Sequence, residues 1–148
     1  MNKGFTLVEL MVVIVIMAII TMIGYTGITA VQQNIKENLW DGKVDAILSG
    51  AEAYGEDNKN LLTGTCSIDG SNVSNCMSLK VDDLIKSNYV PTDEERCVEY
   101  DENSNCINSE ETIINESVPE DDPNYYANDL NVYIYLENNV VYAVLEGD

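Results

Sequence analysis

The stretch Gly4-Phe5-Thr6-Leu7-Val8-Glu9-Leu10-Met11-Val12-Val13-Ile14 decides how this 148-residue chain is read. It opens an apolar run, 5–25, in which Glu9 is the one charged residue. At about 1.5 Å per helical residue, that run is long enough to cross a hydrocarbon core of roughly 30 Å. Lys3 stands just before it, which keeps the N-terminus cytoplasmic and leaves the rest of the chain outside. A secretory signal peptide shares the charged start and the apolar run, but a convincing small-residue cleavage site is missing. Glu9 is the anomaly. A carboxylate beside an apolar core costs a few kcal/mol on insertion, so a plain anchor gains by losing it. Glu9 is therefore a candidate functional residue that needs a partner.

The same residues carry a resemblance. A fixed glycine, an aromatic residue, a glutamate and an uninterrupted apolar run resemble the processing motif of type IV prepilins and pseudopilins. The resemblance is close over roughly the first 25 residues and loose over the rest. It implies that a membrane aspartyl protease, the prepilin peptidase, cuts after Gly4. It implies that the new N-terminal residue, Phe5, is methylated on its amino group. It further implies that Glu9 of one subunit pairs with the Phe5 amine of a neighbour and so fixes axial register. The physical basis is attraction between an amine and a carboxylate at low dielectric, set against the desolvation of both. A Glu9 carboxylate that snorkels to the headgroups is the plainer alternative.

Helical periodicity continues beyond the apolar run. Ile28, Val31, Ile35 and Leu39 recur at spacings of three and four, and Val44, Ile47, Leu48, Ala51 and Tyr54 extend the stripe. Gln32, Gln33, Lys36 and Glu37 fill the other face. The spacing predicts one long helix over about 5–54 whose stripe packs on a sheet. Gly24 and Gly27 interrupt it, each costing roughly 1 kcal/mol against alanine. They make either a flat packing patch or a weak point where the helix loosens on assembly. Many relatives in the resembled family carry a proline in this region, and this chain has none there.

Beyond the helix, 55–78 reads as a loop rich in Gly, Asn, Ser and Thr. A short helix follows over 78–86, with Ser78 as a candidate cap. Cys97 and Cys106 bracket a turn-rich tip, consistent with a hairpin or knuckle. Residues 107–129 are acidic and irregular. Strands are expected over 130–136 and 140–145, where Val132, Ile134 and Leu136 alternate with Tyr133 and Tyr135. The nine tyrosines are read as sheet packing rather than a binding platform. The expected fold class is α+β: a long N-terminal helix, membrane-spanning in its first half and amphipathic in its second, on a small antiparallel sheet head. The expected division is a leader at 1–4, a transmembrane or filament-core helix at 5–25, the head's amphipathic helix at 26–55 and a globular head at 56–148.

The net charge of −19, from 26 acidic and 7 basic residues, lies almost wholly beyond residue 40. Such a surface repels phosphate backbones and speaks against direct nucleic-acid binding. Four cysteines and no histidine in an exported domain favour disulfides over a zinc site. Three pairings are possible; Cys66–Cys76 and Cys97–Cys106 are preferred because short loops close at low entropic cost. Neither Asp93 to Glu95 nor Glu120 to Asp122 has calcium-loop spacing, so no metal or cofactor is expected. With no nucleophile motif and no phosphate loop, no catalytic residue and no enzyme activity are expected.

The expectation is a structural subunit of a cell-surface filament. Its partners would be copies of itself or related pilins, the prepilin peptidase and the pilus assembly platform. The precursor would wait in the bacterial cytoplasmic membrane and end in an extracellular filament. A pseudopilin of a secretion or competence machine, and a minor or tip pilin with an adhesive role, are the alternatives. The low arginine and high asparagine content hints at an AT-rich genome and a Gram-positive source.

Overall fold

The computed structural model describes residues 7–147. Its first element is α1, Leu7–Asp57, a single helix of 51 residues and so about 76 Å long. The remaining elements are β1 (Gly64–Ile68), β2 (Ser71–Lys80), α2 (Val81–Lys86), β3 (Glu94–Tyr100), β4 (Cys106–Thr112), β5 (Asn131–Glu137) and β6 (Val140–Leu145), with short 3-10 turns at Lys59–Leu61 and Ala127–Asp129. The strands form an antiparallel sheet in the order β1-β2-β5-β6 and a separate two-stranded arm, β3-β4. The fold is α+β, with the long helix packed on the sheet.

The last part of α1 belongs to the core. Val44, Ile47 and Ala51 are buried there against Val132 and Ile134 of β5 and Val141 and Leu145 of β6. Val81, Leu84 and Ile85 of α2 close the same core from the side. Two glycines set how closely α1 approaches. A methyl group at Gly50 would stand 2.5 Å from the Tyr89 carbonyl oxygen, and one at Gly55 would stand 2.6 Å from Ile134 Cγ2. Tyr133 and Tyr135 alternate with the buried Val132 and Ile134, and the Tyr135 ring stacks on Tyr142 at 5.5 Å between centroids. Tyr133, Tyr135 and Tyr142 thus lie on the outer face of the sheet. The β5–β6 turn places Asn138 and Asn139 both at positive φ, 50° and 67°, the backbone of a tight two-residue hairpin.

The structure departs from the sequence reading in three places. First, the expected loop 55–78 holds a hairpin instead. Asp69 and Gly70, at φ of 49° and 77°, make its two-residue turn, and β2 pairs with β5 over Cys76–Tyr135 to Lys80–Asn131. Ser- and Asn-rich composition argues for a loop, but pairing with an apolar neighbour strand overrides weak propensity. Ser78 consequently lies in β2 and caps nothing. The cap of α2 is Lys80, whose N–H donates to the Asp83 carboxylate at 3.2 Å. Second, part of the supposedly irregular segment after 107 is strand β4, paired with β3. Third, the sheet takes only the later half of the helical stripe. Ile28 and Leu39, at 58% and 55% exposure, and Val31 and Ile35 between them, do not pack on it.

Candidate functional site

The described start of α1 is an apolar rod. Between 7 and 22 every described side chain is exposed, from Leu7 at 75% to Met22 at 79%. Thirteen of these are large and apolar. Covering them is worth on the order of 10–20 kcal/mol, taking roughly 1.5–3 kcal/mol for full burial of each and their present exposure. Soluble monomers rarely leave so continuous an apolar patch facing water. The run 7–22 is roughly 24 Å long as helix. Among the described residues no helix is long and apolar enough to cross a membrane.

The stripe Ile28, Val31, Ile35 and Leu39 continues the rod toward the head along one face. Another face is tied down. The Gln33 side chain donates to the Ser117 carbonyl at 3.1 Å. Lys43 Nζ reaches both the Asp93 carboxylate and the Ile114 carbonyl at 2.7 Å. Segment 113–118 therefore descends along α1, and the apolar stripe beside it stays uncovered.

Glu9 sits in the first turn of α1, where an acidic side chain suits the positive end of the helix dipole. Gly4 and Phe5 lie outside the described residues. Gly24 and Gly27 lie inside α1, which runs on through both. Two disulfides staple the head: Cys66–Cys76 joins β1 to β2, and Cys97–Cys106 closes the β3–β4 arm near its tip. At that tip the Asp101 carboxylate accepts the backbone N–H of Asn103 and Asn105, both at 2.8 Å, and the Asn105 side-chain amide. The Asn105 side chain first, then these backbone donors, hold the Asp101 carboxyl below its ordinary range. At the base of the arm the Arg96 guanidinium pairs with Glu110 and lies 4.2 Å from the Tyr126 ring centroid.

Residues 1–25 match the family model of the prokaryotic N-terminal methylation motif. The chain carries the type IV prepilin signature. The match ends at residue 25, so the methylation motif takes in Gly4, Phe5, Glu9 and Gly24 and leaves the acidic head outside it. No curated protein and no solved structure matches the chain. The methylation motif was legible in sequence because it is contiguous. The exposure of the 28–39 stripe was not, since periodicity marks an apolar face without saying what covers it.

Proposed function

We propose that this chain is the precursor of a subunit of a type IV pilus-like filament at the cell surface. The observation that carries the proposal is that the methylation motif, 1–25, contains the exposed apolar rod of α1. The prepilin peptidase cuts after Gly4, removing 1–4, and the Phe5 amine is methylated. The run 5–25 holds the precursor in the membrane, and the same surface then packs against other subunits on the assembly platform. Both environments relieve the same exposed area, so transfer from lipid to filament exchanges one apolar contact for another. The stripe from Ile28 to Leu39 extends that packing toward the head.

Within the filament, the Glu9 carboxylate pairs with the Phe5 amine of a neighbour and sets the axial step. Two desolvated charges are costly alone and tolerated together, so mispaired registers are penalised. Gly24 and Gly27 give the helix a place to loosen as it leaves the bilayer. Mass spectrometry of the surface-exposed form tests the first step: the expected chain begins at methylated Phe5. An intact Met1, or a cut near residue 30, refutes the filament reading. Glu9→Ala tests the pairing, with normal processing and membrane insertion expected but few sheared filaments. Filaments at the normal level from that variant would remove the pairing role.

A further inference from the structure

A groove of about 620 Å³ opens on the head beside α1, lined among others by Trp40, Asn115, Asn124, Asp129, Leu145 and Glu146. These residues come from five separate parts of the chain. Trp40 and Leu145 supply apolar surface; the other four supply amides and carboxylates. Asn115 is only 5% exposed. Its Oδ1 accepts from the Ser117 backbone N–H at 3.1 Å and from the Ser117 hydroxyl. Among the described residues its Nδ2 has no protein partner, and neither does the Trp40 indole N–H. Among the described residues no fully buried side-chain polar atom lacks a hydrogen-bond partner, so neither donor is sealed in the core, and both residues line the groove.

The acceptors are arranged differently. Asp129 Oδ1 is held by Lys80 Nζ at 2.8 Å, and Glu146 Oε2 takes the Asn131 side-chain amide. Each carboxylate keeps a second oxygen for another donor. An aromatic ring, a buried amide with spare N–H groups and two oriented carboxylates suit a ligand with an apolar face and a hydroxylated edge. A purely apolar ligand would strand the amide, and an anionic one would meet both carboxylates.

We propose that this groove binds an uncharged saccharide unit, with its ring against Trp40 and its hydroxyls shared between Asn115, Asp129 and Glu146. The site lies on the head and operates whether or not the apolar rod assembles.

Trp40 is the sole tryptophan, so the groove carries its own reporter. The full chain in phosphocholine micelles, which present no sugar headgroup, is titrated with galactose, N-acetylglucosamine and the N-acetylglucosamine disaccharide, with galacturonate as the charged comparison. At least one neutral sugar is expected to change Trp40 emission saturably, with a millimolar Kd, and galacturonate is expected to bind more weakly. Asn115→Asp keeps the acceptor that holds Ser117 and removes the Nδ2 donor; it is expected to weaken binding about tenfold or more at unchanged circular dichroism. No saturable response from any neutral sugar, galacturonate binding equally well, or equal binding by Asn115→Asp overturns the proposal. If Asn115→Asp loses the native circular dichroism, acrylamide quenching of the wild-type chain decides. Protection of Trp40 by the sugar supports the site, and unchanged quenching refutes it.

Discussion

Gly42 and Gly50 stand eight positions apart on α1, and replacing each with alanine should move stability in opposite directions. At Gly42 nothing lies within 4 Å of the added methyl, so the change acts only through helix propensity. Alanine there should stabilise the head by about 0.5–1 kcal/mol. At Gly50 the methyl would sit 2.5 Å from the Tyr89 carbonyl oxygen and 2.6 Å from Val90 Cγ2. Ordinary contact begins near 3.4 Å, so the Tyr89 backbone would have to retreat by about 0.9 Å. It is poorly placed to do so. Its N–H donates to the Leu84 carbonyl at 3.0 Å, its hydroxyl donates to Asp57 at 2.8 Å, and its ring meets Tyr54 edge-on at 5.2 Å. Overpacking of this kind costs about 1–3 kcal/mol, and the propensity gain offsets up to about 1 kcal/mol of it. The net loss at Gly50 should be about 1–2 kcal/mol. The two variants should then differ by about 1.5–3 kcal/mol. Urea unfolding of the disulfide-intact chain in micelles, followed by Trp40 emission, reads this directly. With a slope of about 2 kcal/mol/M, the midpoints should separate by roughly 0.7–1.5 M. If both variants move the midpoint the same way, the close approach of α1 to the Tyr89 segment is refuted.

Two further outcomes follow from the staples and the arm tip. Cys66→Ser with Cys76→Ser should lower head stability by about 2–3 kcal/mol, the scale expected for a loop of about ten residues. Cys97→Ser with Cys106→Ser should instead raise hydrogen exchange mainly in β3 and β4; global destabilisation from the second pair alone would contradict the separation of arm and sheet. For Asp101, the folded carboxyl lies below its ordinary value, so its contribution is fully present above the unfolded pKa of about 3.9 and is lost as pH falls through the folded value. Carboxyl NMR should give a midpoint below about 3.9, with faster exchange at the Asn103 and Asn105 amides at lower pH; a midpoint at or above that value would discard the hydrogen-bonded tip.

The parts legible in the sequence are those written in contiguous residues. The apolar run and Glu9 mark the rod, the period from Val44 to Tyr54 marks the core face of α1, and the alternation from Val132 to Leu136 marks β5. The β1–β2 hairpin had one local signal, the Asp69-Gly70 pair, which the surrounding Ser, Thr and Asn residues outweighed. What makes 76–80 a strand is its neighbour β5, more than 50 residues away in sequence. The stripe from Ile28 to Leu39 shows the complementary problem. Its period is plain, but a period does not say how far along the helix the sheet extends. The groove at Trp40 was invisible because residues 40, 115, 124, 129 and 146 share no motif.

The shared helix also has a mechanical consequence. Because α1 is both apolar rod and core element, a pull along the rod reaches the core through Val44, Ile47 and Ala51. The force runs parallel to the helix axis, across side chains clasped by β5, β6 and α2. Such a joint is loaded in shear, with many contacts strained together, rather than peeled open one contact at a time. Tension on the rod is thus delivered past Trp40 and the Lys43 contacts to the most tightly packed part of the molecule.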